Sequence, residues 1–503
     1  MGNREQQRLA ERLLQQADHL AASGRLAESV VIIERVLGDW PLLADTWYNL
    51  GLRRRSLGRP HAALAAYGRA LELGAAQPEE IHLNRGVIYA DDLLQPDAAE
   101  REYQLALQRS PDYLPALLNL ANLREDAGRR RDAQELYERI LAGDATHAEA
   151  LARLANCSVI SAPDEPLVAR LRHAIGLPGR TPAERASLGF ALARALDAAG
   201  AYDEAWEACR QANAASRVSA SVVQRRYDRV AEERRIGQLI DCCDAAFLER
   251  VGRDGLAAAA ADPALVMISG MFRSGSTLVE SLLAAHPQVT AGGELDWMPA
   301  IVREALEPFP ASLGALEATR CAALAVRYLE RRASVFPAAR VLTDKRPDNF
   351  LHLGLIRAML PGTRFVHTRR HPLDNCLSVW FLHLEHDMAY ATDLMDIGHH
   401  YLQQERLLVH WRTLLGEALH SVDYDSLVRE PRGEIQRLLA HCGLDWDERC
   451  LDPGNHAGPL RTASVWQARR PLYRESSGRW RNYARHLEPL REFFSRAGLS
   501  VDG

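Results

Sequence analysis

Leu265-Val266-Met267-Ile268-Ser269-Gly270-Met271-Phe272-Arg273-Ser274-Gly275-Ser276-Thr277 is the stretch that decides the fold of the second half of this chain. An apolar run of strand length enters a loop with glycine at both ends, and a helix-like segment, Leu278 to Ala285, follows. Gly270 and Gly275 have the spacing of the phosphate loop G-x-x-x-x-G-K-[ST], whose backbone N–H groups and helix N-terminus cradle an anion. Ser276 stands at the lysine position of that motif. In nucleoside triphosphatases that lysine holds the β- and γ-phosphates. Without it the loop is poorly equipped for a triphosphate. It suits a ligand with one 5′-phosphate, whose charge Arg273 helps to neutralise.

Further strand-and-loop segments follow. Val341-Leu342-Thr343-Asp344-Lys345-Arg346-Pro347-Asp348-Asn349-Phe350 reads as a strand entering a loop. Of the 61 basic residues, Lys345 is the single lysine, so an ammonium rather than a guanidinium is wanted there. Arg364 to Thr368 reads as another strand, ending at Arg369-Arg370-His371-Pro372. Ser378 follows Arg370 by eight residues and would lie about a turn into the next helix.

These segments resemble the sulfotransferases that use 3′-phosphoadenosine 5′-phosphosulfate (PAPS). The likeness is to the tyrosylprotein branch and to bacterial enzymes linked to tetratricopeptide (TPR) repeats. It covers about residues 263–485. It implies that Arg273, Ser274, Gly275, Ser276 and Thr277 hold the 5′-phosphosulfate. It further implies that Arg370, Ser378, Ser464 and Arg479 hold the 3′-phosphate and adenosine side, with Tyr424 near the nucleotide. Glu294, after Gly292-Gly293, matches the catalytic base, and Lys345 the group at the leaving oxygen. Pro347 stands where cytosolic sulfotransferases carry a histidine base, which excludes that arrangement. The tyrosylprotein enzymes carry arginines shortly after the glutamate to hold an acidic peptide. Here the stretch is Asp296-Trp297-Met298-Pro299-Ala300, which argues against such an acceptor. The implied co-substrate is PAPS, the product adenosine 3′,5′-bisphosphate, and no metal is required.

Upstream, Gly24, Gly58 and Gly128 fall near a 34-residue phase, the period of the TPR helix-turn-helix. Gly51 and Ala121 let the first helix of a pair approach the second, Tyr67 and Tyr137 fill the space between pairs, and the phased glycines supply turns. A fifth unit starts at Ala148, and a further helix pair fits Ser187 to Arg217, with Gly200, Ala205 and Ala212 in register. The expected architecture is an N-terminal all-α TPR superhelix over residues 10–217, a helical connector over 218–260, and a P-loop-like α/β domain with a parallel central sheet over 261–503. The array would offer a concave surface to a peptide or protein partner.

Composition excludes several classes. A net charge of −5 gives no reason to expect nucleic-acid binding. No run of 18 apolar residues suggests a membrane span, and no apolar leader opens the chain, so the cytoplasm is expected. Eight cysteines form no C-x-x-C pair, and His383, His386, His399 and His400 follow no metal-ligand pattern. Two other readings stand beside the enzyme: a TPR scaffold whose second domain is an inactive nucleotide binder, and a P-loop kinase of small molecules. The acceptor, whether peptide, glycan or small molecule, is not legible.

Overall fold

The computed structural model describes residues 3–220, 226–252, 264–384, 388–452 and 476–501. The chain divides into two compact units, Met1–Ser158 and Val159–Gly503. The first is a run of antiparallel helices: α1 (Asn3–Ala22), α2 (Leu26–Asp39), α3 (Ala44–Ser56), α4 (Pro60–Glu72), α5 (Pro78–Val87), α6 (Pro96–Arg109), α7 (Leu114–Asp126), α8 (Arg130–Gly143) and α9 (Ala148–Cys157).

Small residues set the spacing within each pair. A β-carbon on Gly51 would lie 2.5 Å from the Tyr67 ring, and one on Gly86 2.4 Å from the Tyr103 ring. Helices α3 and α5 can therefore approach their partners only without a side chain there. Gly24, Gly58 and Gly128 close their turns at φ +80°, +68° and +76°. The third repeat departs from this pattern. Leu94 takes the left-handed position at φ 55°, after a wide turn at Ile88–Asp92. A leucine there costs about 1–2 kcal/mol that glycine avoids.

The second unit opens with α10 (Pro166–Gly176), α11 (Pro182–Ala198) and α12 (Tyr202–Ala220), so the helices that the 34-residue phase groups with the repeats share a unit with the sheet. Next come α13 (Arg229–Cys242), α14 (Ala245–Gly252) and five strands: β1 (Ala264–Gly270), β2 (Val289–Ala291), β3 (Val341–Lys345), β4 (Arg364–Arg369) and β5 (Leu419–Asp423). All pairings are parallel, in the order β2-β3-β1-β4-β5. The helices between and after them are α15 (Ser276–Ala284), α16 (Trp297–Ala305), α17 (Ala318–Val335), α18 (Leu353–Met359), α19 (Pro372–Trp380), α20 (Leu394–Leu415), α21 (Tyr424–Arg429), α22 (Pro431–His441) and α23 (Glu488–Arg496).

A central parallel strand is covered on both faces, which is why β1 reads as one apolar run. Val266 and Ile268 pack into a layer with Val279, Leu282 and Leu438. Leu265 and Met267 face the opposite layer, with Ile236, Phe247, Leu355 and Trp411. Helices α13 and α14 are therefore core elements of this unit. Connections leave β1 and its neighbours in opposite directions along the sheet, which opens a crevice at the carboxyl ends of the central strands. Among the described residues no helix is long and apolar enough to cross a membrane.

Candidate active site

The loop after β1 is built by close approach. At Gly270 φ is +149°, and a β-carbon would fall 2.2 Å from Thr368 Oγ1. Ser274 Oγ and Thr368 Oγ1 are 2.6 Å apart, which ties the loop to β4. Arg273 adopts φ 70° and Gly275 φ 103°, so the chain turns sharply and delivers Ser276 to the first position of α15. No side chain caps this N-terminus. Left-handed residues before an uncapped helix aim backbone N–H groups into one concavity. Ser276 is buried and Thr277 half-buried at its floor.

The 3′ side of the sequence reading also assembles here. Arg273 Nε donates to Ser378 Oγ at 3.1 Å. Arg370 Nη1 donates to Arg273 O at 3.3 Å and Nη2 to Ser476 O, while its Nε is buried without a partner. Its guanidinium lies 4.9 Å above the Tyr424 ring, and that ring packs where a β-carbon on Gly275 would be, 2.7 Å away. Arg370, Arg273, Ser378, Tyr424 and the glycine loop thus share one corner.

Glu294 and Lys345 form the other corner. Lys345, 1% exposed at the end of β3, places Nζ 2.5 Å from Glu294 Oε1, and Glu294 remains 37% exposed. The loop before Glu294 is pinned to β3: Gly292 N donates to Thr343 O at 3.0 Å, and Lys345 N donates to Gly293 O at 2.9 Å. A β-carbon on Gly292 would meet Thr343 O at 2.3 Å, so this glycine serves contact rather than conformation.

Three buried carboxylates that the sequence reading did not single out hold this frame. Glu280 of α15 accepts from Gly293 N at 3.1 Å and Thr343 Oγ1 at 2.8 Å, and burial pushes its carboxyl up against the opposing pull of Lys345. Asp344, beneath Lys345, accepts from Tyr328 at 2.8 Å, and burial pushes it up to about 7. Asp374 of α19 accepts from Gly478 N and Trp480 N at 2.6 and 2.7 Å. An acid one turn into a loop-following helix was the available signal for Glu280; nothing local marks the other two.

Two expected nucleotide contacts fare differently. Ser464 lies outside the described residues. Arg479 is paired with Asp197 of α11 at 3.0 Å and lies over the Phe381 ring at 4.6 Å. Its charge is therefore engaged by a carboxylate rather than open to a phosphate. Of the histidines read as non-ligands, His383 stacks on Phe190, His399 contacts Tyr227 and Glu233, and His400 stacks on Tyr390, while His386 lies outside the described residues.

Comparison with known proteins gives the assembly a family. Residues 263–448 match the model of the Sulfotransferase family, and residues 44–74 match a tetratricopeptide repeat. An uncharacterized protein of Aquifex aeolicus (strain VF5) is 30% identical over 400 residues, 77% of this chain and 51% of that protein. The chain therefore spans about half the length of this relative. Among solved structures, the sulfotransferase domain of the Synechococcus PCC 7002 olefin synthase is similar over 46% of this chain and 95% of its own, at 21% identity and TM-score 0.35. YrrB, a TPR protein with an unusual peptide-binding site, is similar over 32% of this chain and 83% of its own, at 17% identity and TM-score 0.27. Residues 263–448 thus form a domain of the Sulfotransferase family, preceded by a tetratricopeptide repeat at residues 44–74.

Proposed function

We propose that this chain moves a sulfuryl group from PAPS to an acceptor hydroxyl. The observation that carries the reading is the 2.5 Å contact of Lys345 with Glu294 at the carboxyl edge of the sheet, beside a phosphate loop that lacks its lysine.

The residues fit such a co-substrate. The uncapped N-terminus of α15 suits the 5′ end, and the buried Arg370 Nε without a partner suits a 3′-phosphate. Among the described residues, the Arg370 guanidinium hydrogen-bonds carbonyl oxygens only, so its charge is unneutralised. In sulfuryl transfer, attacking and leaving oxygens lie in line and charge spreads over the equatorial oxygens, as in phosphoryl transfer. Glu294 takes the proton of the acceptor hydroxyl as the new O–S bond forms. Lys345 donates to the 5′-phosphate oxygen from which sulfur departs, releasing adenosine 3′,5′-bisphosphate. Arg273, Ser274, Gly275, Ser276 and Thr277 hold the 5′ end, and Arg370 and Ser378 the 3′ side, with Tyr424 against both. No metal takes part. The repeats hold a protein or peptide partner, the acceptor is a protein, glycan or small molecule, and the enzyme acts in the cytoplasm.

Calorimetric titration with adenosine 3′,5′-bisphosphate, with and without Mg²⁺ and against ATP, tests the site. Metal-independent binding that Arg370→Ala weakens, and that Glu294→Gln leaves in place, is the expected result. Preference for Mg-ATP would favour the kinase. Cellular function retained in both Glu294→Gln and Lys345→Ala would favour the scaffold.

A further inference from the structure

Helices α11 and α12 grip the nucleotide side of the sulfotransferase unit at two points. The first is the turn Gly478–Tyr483. Asp197, near the end of α11, accepts from Arg479 Nε at 3.2 Å and Tyr483 OH at 2.6 Å, across 282 and 286 positions of chain. The second is the end of α19, which bears Asp374 and Ser378. Trp380 O, its last carbonyl, accepts from Asn213 Nδ2 at 3.0 Å and Cys209 Sγ at 3.2 Å, both on α12. Trp206 of α12 fills the space between, 4.2 Å from the Trp380 ring and 4.7 Å from His486.

The gripped turn reaches Arg370. Its Gly478 and Trp480 amides rest on Asp374, and Ser476 O, two residues before it, takes the Arg370 Nη2 hydrogen bond. The direction of the Arg370 guanidinium is therefore fixed from two sides: by Arg273 O in the phosphate loop and by a turn that Asp197 holds. A half-buried carboxylate that satisfies both a guanidinium and a phenol fixes a turn more firmly than apolar packing alone, because each bond is directional.

We propose that Asp197 is a positioning residue for the nucleotide, acting through Arg479, Tyr483 and the Ser476 carbonyl on Arg370, which makes the α11–α12 pair part of the sulfotransferase site. This rests on the reading of Arg370 as the 3′-phosphate ligand. It also gives Arg479 a different task from the phosphate contact that its motif suggests.

The full-length chain is titrated with adenosine 3′,5′-bisphosphate in wild type, Asp197→Asn, Arg479→Gln and the double variant. Wild-type binding establishes the site independently of the inference. Each single variant is expected to bind about tenfold more weakly, in line with the coupling that indirect contacts carry. The double variant should be no weaker than either single one. Steady-state assays with PAPS should place the loss in KM for PAPS and leave kcat within about twofold, and Asp197→Glu should recover most of the affinity. Should Asp197→Asn fail to fold, Tyr483→Phe removes one bond from the same turn and should weaken binding about threefold. Unchanged affinity in these variants would overturn the proposal. So would tighter binding in Asp197→Asn, because it would make the released Arg479 a phosphate ligand that Asp197 merely holds back.

Discussion

Asp344→Asn should remove a pH dependence from the stability of the sheet. Asp344 is buried on β3, and burial pushes its carboxyl up to about 7 from an ordinary 3.8, against the opposing bonds from Tyr328 and Asn349. Between those values the native state keeps a proton that the unfolded chain has released. The native state binds more protons there, so stability falls as pH rises, by about 1.4 kcal/mol per unit and about 4 kcal/mol across the window. The contribution is intact below 3.8 and lost above about 7. Asparagine does not ionise and keeps an oxygen for Tyr328. His352, His367 and His441, lowered by burial to about 4, 3 and 4, act with the opposite sign below their ordinary value. The wild-type profile is therefore a sum, and only the difference between variant and wild type isolates Asp344. Amide hydrogen exchange of the β1 and β3 peptides, compared at matched pH from 4 to 8, reads that difference locally. The variant should gain on wild type steadily up to pH 7 and then hold level. A difference that is flat with pH, or that grows in favour of wild type, would refute the burial reasoning.

Three further outcomes follow from close contacts. Gly51→Ala drives a methyl into the Tyr67 ring and should destabilise the first unit by about 1–3 kcal/mol in thermal melts followed by circular dichroism. Gly275→Ala adds left-handed strain of about 1–2 kcal/mol and displaces Tyr424 from beneath Arg370, so bisphosphate affinity should drop; Gly293→Ala, which carries similar left-handed strain at φ +68° but meets no neighbour, should leave that affinity alone. Glu280→Ala leaves the Gly293 amide and the Thr343 hydroxyl without their acceptor, at about 1–3 kcal/mol each; kcat should fall while bisphosphate binding, measured by calorimetry, stays put.

The chain order of residues was enough for whatever depends on short-range geometry. The phase of Gly24, Gly58 and Gly128, with Gly51 set against Tyr67, specified paired helices, because glycine alone tolerates both the left-handed turn and the close crossing. The run Leu265 to Thr277 specified a buried parallel strand, a glycine-bounded loop and a helix. The lone Lys345 and Glu294 were legible because each sits in a short motif. Leu94 was not, since a leucine where the phase calls for glycine gives no local sign of the wide turn that precedes it.

Other features depend on contacts between distant segments, and only the tertiary structure decided those. Asp197 carries no motif, and the segment around Asp374 does not announce its partner; both matter because packing brings the Gly478–Tyr483 turn to them from over a hundred residues away. Arg479 shows the limit most clearly. Its sequence neighbourhood points to a phosphate, but Arg479 pairs with the half-buried Asp197, and which carboxylate it meets depends on how α11 packs. A sequence lists the charges in chain order; the fold decides which of them meet.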